Sequence, residues 1–393
     1  MKHIVVLVFA SLALLSVALV IWQWLAAWRF PLHDRVQDKS FAPAVTLLKP
    51  LKGCDANTAE CLRSWLAQDY AGPTQILFGV AFTEDPVCGV VRQLMEEHPK
   101  VNAQLVICAE TLGANAKVST LIQLLRLAQN DVIVVSDADV LAPRDFLTNA
   151  VSPLRESEVG LVNCFYRVRN FSTLATRWEG IAINADFWSQ VLQGRSLQPL
   201  DFALGAVMVT RREELAGIGG LETLADYLAD DFQLGNRIAR RGRRIALCPV
   251  AVDCLSMPLD WKGAWAHQLR WARTIRVCKP WPYALSILSN ATLWPLLWLL
   301  CEPTGRVGAA FAVCLAVRII TAQLLQRRLD PAGGQGWFWW LVPVKDLLQF
   351  GIWASAFFGN HIEWRGERFH LARDGKLLRV PVVSRAADTL PVR

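Results

Sequence analysis

Val132-Ile133-Val134-Val135-Ser136-Asp137-Ala138-Asp139 is the stretch from which the fold is read. A run of Val and Ile without polar alternation marks a strand covered on both faces, as in parallel α/β sheets. Two carboxylates appear where the strand ends, and in open α/β sheets ligands bind beyond the carboxyl ends of the strands. Taken as an extended segment, Asp137 and Asp139 point the same way. Their hard oxygens suit Mg²⁺ or Mn²⁺ bridging to a phosphate-bearing substrate. A bare D-x-D also fits a loop with helix-capping acids ahead of Pro143, so the rest of the chain has to decide.

Working upstream, residues 44–48, 75–81 and 104–108 read as strands and residues 58–68, 86–98 and 117–129 as helices. This alternation predicts a mostly parallel sheet with right-handed crossovers. Pro50 and Lys52 fall in the turn Lys49-Pro50-Leu51-Lys52-Gly53 after the first strand. No G-x-G-x-x-G follows that strand and no G-x-x-x-x-G-K-[ST] occurs, so a dinucleotide fingerprint and a P-loop are excluded. Downstream, residues 160–165 read as another strand and 173–190 as a helix. Gly205-Ala206 are small residues where another group can approach the backbone. Asp230 and Asp231 open a helix running to Arg240. Acids there complement the helix dipole, or one of them is a general base.

Composition adds a membrane. The chain has 393 residues, is 53% hydrophobic and carries 17 Trp, with a mean hydropathy of +0.28. Its net charge of +7 fits nucleic acid, anionic lipid or phosphorylated substrates. Ten Cys without a C-x-x-C pair lack metal-site spacing and read as free, buried thiols in a reducing compartment. Residues 4–28 exceed the ~20 needed to cross a bilayer and are too long for a signal-peptide core. They read as an uncleaved anchor, and Arg29, Arg35 and Lys39 after it place the next domain in the cytoplasm.

Arg240-Arg241-Gly242-Arg243-Arg244 reads as a solvated face near anionic lipid. Residues 261–279 form a basic amphipathic segment with His267, Arg270, Trp271 and Thr274 on one side; Arg273, Arg276 and Lys279 add charge. An interfacial helix explains it, and so does a nucleotide grip, since the Arg270 guanidinium is a planar fork for diphosphate. Residues 281–301 and 305–323 approach spanning length. Residues 337–358 are interrupted by Pro343 and by Lys345-Asp346. A full crossing there would put a tail with Arg365, Arg368, Arg373, Lys376 and Arg379 outside, against the positive-inside tendency. A re-entrant or interfacial hairpin with a cytoplasmic tail is therefore expected. Lys345 and Asp346 either pair with each other or mark function.

The segment Leu47-Leu48-Lys49-Pro50-Leu51-Lys52-Gly53-Cys54-Asp55 resembles the opening of ceramide glucosyltransferases, a family with bacterial relatives acting on sphingolipids or hopanoids. The likeness continues through Asp85-Pro86, Gly113-Ala114-Asn115-Ala116-Lys117, Ser136-Asp137-Ala138-Asp139, Ala229-Asp230-Asp231, Arg270-Trp271 and Trp364-Arg365-Gly366. The tail and membrane hairpin resemble the hopanoid-associated branch. The resemblance implies a GT-A fold within α/β, divided into an anchor (1–30), a catalytic domain (43–256), an interfacial helix (257–280), membrane helices (281–360) and a basic cytoplasmic tail (361–393). It implies a multi-pass protein of the bacterial inner membrane with a cytoplasmic active site.

By the same resemblance, the donor is UDP-glucose or UDP-N-acetylglucosamine and the acceptor a membrane lipid hydroxyl, with no nucleic acid involved. Asp137 and Asp139 hold Mg²⁺ or Mn²⁺ and the sugar nucleotide. Asp231 deprotonates the acceptor. Pro50, Lys52, Asp85, Lys117, His267, Arg270 and Trp271 lie along the nucleotide sugar, and Gly205, Asp230 and Trp271 along the acceptor. Two departures stand out. Phe82 occupies the place of an Asp that the family assigns to the nucleobase, leaving Glu84 or Asp85 to substitute, or Phe82 to stack on uracil. His267 opens the Q/R-x-x-R-W motif. One base without a covalent intermediate implies direct displacement with inversion. A sugar-nucleotide or lipid binder without turnover and a processive polysaccharide synthase are the alternatives. The geometric expectation is that three distant acids, Asp137, Asp139 and Asp231, meet above one sheet edge.

Overall fold

The computed structural model describes residues 1–169, 171–255, 257–331, 333, 338–364 and 367–380. Ser256, Trp337, Arg365 and Gly366, and the last part of the tail, lie outside the described residues.

Eight strands form the central sheet: β1 (Val45–Pro50), β2 (Thr74–Val80), β3 (Asn102–Ile107), β4 (Val132–Ser136), β5 (Val140–Leu141), β6 (Val159–Val168), β7 (Val207–Arg211) and β8 (Arg244–Cys254). Their order is β3-β2-β1-β4-β7-β6-β8-β5. β1, β2, β3 and β4 pair in parallel, as do β6 and β8, whereas β7 and β5 run against them. The sheet is mostly parallel, as the βα alternation predicts. The reversal of β7 has a consequence for the site. Its entrance, not its exit, lies at the edge where β4 ends, with Ser136 opposite Val207.

Both faces of the sheet are buried, which is why its strands read as unbroken apolar runs. Leu48, Leu77, Ile133 and Val135 face one cluster, with Leu121, Leu124 and Trp188. Leu47, Ile76, Phe78 and Val134 face the other, with Trp65, Leu62 and Val91. Each such fully buried aliphatic contributes about 1.5–3 kcal/mol. All ten cysteines are free, most of them buried.

Among the described residues, two helices are each long and apolar enough to cross a membrane, Lys2–Arg29 and Gly305–Leu329. Residues 281–301, expected to approach spanning length, fall in two helical pieces, Pro280–Ser289 and Leu293–Cys301, bent by 55°, which together are long and apolar enough for one broken span. The break falls at Asn290, whose side-chain oxygen accepts from Leu293 N–H (2.9 Å) while its amide donates to the Asp346 carbonyl (2.8 Å). The third apolar stretch yields the 15-residue helix Leu341–Ser355. The first helix packs on Leu293–Cys301 and Gly305–Leu329. Arg328 caps its end by donating to the carbonyls of Ala27, Trp28 and Phe30.

Lys345 and Asp346 do pair (3.3 Å), but within a larger buried cluster. Arg318 bridges Asp346 (2.8 Å) and Asp186 (2.9 Å), Lys345 also reaches Asp186, and the Thr292 hydroxyl donates to Asp346 (2.7 Å). Asp186 comes from a π-helical turn, Ala182–Phe187, which interrupts the helix expected over 173–190. The apolar period of a sequence does not register such a turn. The charges of the cluster balance, so the helices Gly305–Leu329 and Leu341–Ser355 are fastened to the turn Ala182–Phe187 without a lone buried charge.

The basic stretch after residue 360 is folded where it is described. β9 (His361–Trp364), β10 (Glu367–Leu371) and β11 (Leu377–Arg379) form an antiparallel sheet in the order β11-β10-β9.

Candidate active site

β4 ends at Ser136, and the chain does not continue extended. Residues 138–139 form a turn before β5, closed by Val140 N–H to the Asp137 carbonyl (3.4 Å). The expectation that two carboxylates share one side by strand alternation therefore gives way to turn geometry. Asp137 is anchored by its own N–H, which donates to the Ala206 carbonyl (3.1 Å) across the entrance of β7. The Asp139 carbonyl accepts from Leu255 N–H (3.0 Å).

Lys117 lies in the first turn of the helix Ala116–Leu127, capped by Asn115, whose side chain accepts from Val118 N–H. Its ammonium reaches Asp137 (2.7 Å) and Asp230 (3.3 Å). Burial opposes that charge, yet the two carboxylates prevail and hold the ammonium protonated, its pKa well above the usual lysine range. Asp230 and Asp231 open the helix Asp230–Arg240. Burial, and then the neighbouring Asp230 carboxylate, push the Asp231 carboxyl up to about 7, against the pull of Lys117. A carboxyl so tuned is suited to accept a proton near neutral pH. Gly205, just before β7, passes close to it: a Cβ there would stand 2.8 Å from Asp231 Oδ2. Asp137, Lys117, Asp230, Asp231 and Gly205, spread over more than a hundred residues, thus occupy one place at the carboxyl edge of β4.

Lys49 went unassigned from sequence. β1 extends to Pro50, so Lys49 is a strand residue, fully buried beneath the acidic turn. Its ammonium donates to Ser136 Oγ (3.0 Å) and to the Asp137 carbonyl. Burial draws its pKa down to about 8, opposed by Cys61, Asp139 and Asp137. The detectable signal was a lysine inside an apolar strand run. Lys52, chosen from the same turn, is exposed, and Pro50 is buried in the strand.

His267, Arg270 and Trp271 share the helix Trp261–Cys278. Trp271 packs on His267 (5.0 Å between centroids), Phe187 (6.1 Å) and Tyr166 (6.4 Å). Buried Glu179 accepts from His267 Nδ1 (2.5 Å) and from Gln268 (3.0 Å). Tyr166 joins this aromatic group to the acids. Burial first, then the charges of Cys254, Asp231, Asp137 and Glu179, hold its phenol neutral far above the usual range. Neither Glu179 nor Tyr166 was selected from sequence. The only hint was an acid in the otherwise apolar Trp178-Glu179-Gly180-Ile181.

Asp85 stands apart. Its oxygens accept from Gly53 N–H (3.0 and 2.9 Å) and Val87 N–H (3.0 Å), and it is buried. Glu84 is engaged by the Thr83 hydroxyl. Phe82 is about half exposed, at 48%. Among the described residues, no three His, Cys, Asp or Glu side chains form a ready metal cluster. Mg²⁺ and Mn²⁺ commonly use only one or two carboxylates, the rest being water and substrate phosphate. Asp137 and Asp139 fit that smaller requirement.

Comparison with known proteins identifies the family and the fold. The glycosyl transferase family 21 pattern matches residues 8–377. Ceramide glucosyltransferase 3 of Caenorhabditis elegans is 28% identical over 372 residues, covering 89% of this chain and 77% of that protein. An N-acetylglucosaminyltransferase of Bradyrhizobium diazoefficiens is 24% identical over 258 residues, 61% of this chain and 50% of that protein. A mannosyltransferase from Pyrobaculum calidifontis, solved with GDP-Man and Mn²⁺, superposes with a TM-score of 0.56 at 21% identity, covering 91% of this chain and 99% of that one. The fold is GT-A-like, and apolar helices associate it with a membrane. With the family pattern running through nearly all of the sequence, the chain belongs to glycosyl transferase family 21 and is a nucleotide-sugar glycosyltransferase.

Proposed function

We propose that the chain transfers a hexose or N-acetylhexosamine, with inversion, from a UDP-sugar to a hydroxyl of a membrane lipid. Ceramide and polyhydroxylated hopanoids are the acceptor classes considered. The observation that carries this reading is Asp231 beside the Asp137–Lys117–Asp230 chain at the end of β4.

The Asp231 carboxylate takes the acceptor proton as the hydroxyl oxygen attacks the anomeric carbon. The bond from that carbon to the diphosphate oxygen breaks, and its electron pair leaves with UDP. A positioned base contributes about 10²–10⁴-fold. Asp137 and Asp139 would hold a divalent ion, which supplies charge neutralisation to the departing diphosphate. Lys117 keeps Asp137 and Asp230 from repelling each other, and Lys49 fixes the Asp137 backbone from below. Arg270 is assigned to the diphosphate and Trp271 to the acceptor, on the wall made with His267, Phe187 and Tyr166. With both Asp85 oxygens on backbone N–H groups, Asp85 shapes the nucleotide loop and Phe82 is left to stack on the base.

The apolar helices flanking the domain fit an acceptor that never leaves the bilayer. In this reading the protein is multi-pass in a bacterial inner membrane with its catalytic face cytoplasmic. Purified protein mixed with UDP-glucose or UDP-N-acetylglucosamine, Mn²⁺ and ceramide or bacteriohopanetetrol should release UDP and yield a glycolipid. No release with any donor and acceptor pair would reject the assignment. Protease protection of the C-terminal residues in inside-out vesicles would reject the orientation.

A further inference from the structure

The carboxyl-terminal sheet touches the segment that precedes the acids, and the contacts are specific. Leu377 N–H donates to the Asp226 carbonyl (2.7 Å), and Tyr227 and Lys376 form an isolated antiparallel bridge. The Lys376 ammonium lies over the Tyr227 ring, 5.8 Å from its centroid. Leu228 is buried with Ile362, Phe369, Leu371 and Leu377 in a small core of their own. Asp230 and Asp231 follow two and three residues later.

The same segment is held on its other side by the loop that carries Lys117. Asn115 N–H donates to the Ala225 carbonyl (2.7 Å), the Asn115 amide to the Tyr227 carbonyl (2.8 Å), and Ala114 N–H to the Asp226 carboxylate (3.0 Å). A Cβ on Gly113 would stand 2.5 Å from the Ala225 carbonyl oxygen, so the two loops are in closest packing. The sheet's own root is tied to the helix of Arg270 and Trp271. Arg273 donates to the carbonyls of Phe358 and His361, and Arg276 to the Asn360 side chain. These arginines, read from the sequence only as added charge on a basic amphipathic segment, are engaged within the protein.

We infer that β9–β11 act as a strap that positions Asp231, with Leu228 and Leu377 as positioning residues acting through the 225–229 segment. The inference rests on the reading of Asp231 as base. A carboxylate held by a single helix start has freedom to swing. Pinning the preceding residues between the strap and the Asn115 loop removes that freedom, and misplacing a catalytic group by an ångström costs about 10²-fold.

The test uses the full chain in detergent or nanodiscs, with Leu228→Ala, Leu377→Ala, the double variant, Leu228→Met and Asp231→Asn. Each Ala variant is expected to lower kcat by about 10–100-fold, with calorimetric affinity for UDP and Mn²⁺ unchanged within about twofold. The double variant should lose less than the product of the two, because both changes release one element. Leu228→Met should restore most of the rate. The acid limb of the kcat profile should also move down in the Ala variants. Asp231, which faces Asp230, Lys117, Asp137, Tyr166 and Cys278, would then gain water. Unchanged kcat in both Ala variants, or losses of kcat and UDP binding in step with an unmoved pH limb, would overturn the strap. If Asp231→Asn turns over normally, the base reading fails and the strap with it. If Asp231→Asn is inactive while the Ala variants are normal, only the strap fails.

Discussion

Substituting Gly205 by Ala tests the placement of the base without touching a titratable group. The new Cβ would stand 2.8 Å from Asp231 Oδ2 and 3.3 Å from its Cγ. Non-bonded heavy atoms settle at about 3.5–4.0 Å, so the carboxylate must retreat by roughly 0.7 Å. Its other oxygen is held by Phe232 N–H at 2.7 Å, so the retreat also disturbs that hydrogen bond. A displacement on this scale costs on the order of 10²-fold in rate, equivalent to about 2.7 kcal/mol in the barrier. Overpacking costs about 1–3 kcal/mol of stability, offset by about 0.4–1 kcal/mol from the stiffer unfolded chain. The variant should therefore fold, bind UDP with Mn²⁺ as the parent does, and turn over about a hundredfold more slowly in a UDP-release assay with lipid acceptor. Gly205→Ala with parental kcat would refute the assignment of Asp231 as the proton acceptor at this spot.

Asp231→Asn is expected to lose about 10²–10⁴-fold in kcat while UDP affinity holds; parental turnover would sink the base. With Asp231 at about 7, the rate should fall as pH drops below neutrality, and an acid limb near the ordinary carboxylate value would contradict the site's electrostatics. The folded pKa lies above the unfolded one, so this group's contribution to stability is complete below about 4 and lost as pH rises through about 7. Asp231→Asn should accordingly raise the melting temperature above pH 7 more than at pH 5. Asp139→Ala should abolish the response of activity to added Mn²⁺, and an unaltered metal titration would remove Asp139 from the donor site. Arg318→Met leaves Asp186 and Asp346 to share Lys345 alone, and should cost about 3–5 kcal/mol, read as a large drop in melting temperature in detergent.

The sequence alone was enough for the fold class and for picking out the acids at the end of β4 as candidates. Val132–Ser136 is apolar on both sides because both sheet faces are covered, and this is written in composition. Asp137, Lys117 and Asp231 were visible as chemistry-bearing residues in ordered blocks. Their convergence was an expectation, and the reversed β7 is part of its physical cause. It brings Gly205-Ala206 between Asp137 and Asp231, and strand direction leaves no mark on a short apolar run. Lys49 was hidden by a boundary of two residues, since a lysine at a strand's end and one inside it read alike until the strand's length is known. Asp85 was legible as an acid, but only the fold showed its oxygens directed at Gly53 and Val87. Likewise Asp346 was read only with its neighbour Lys345, and Asp186 and Arg318 were not singled out, because charge pairing between distant segments is decided by packing and not by local pattern. Residue chemistry and apolar period are local properties that a sequence carries; direction, neighbours and burial are set only when the whole chain has closed on itself.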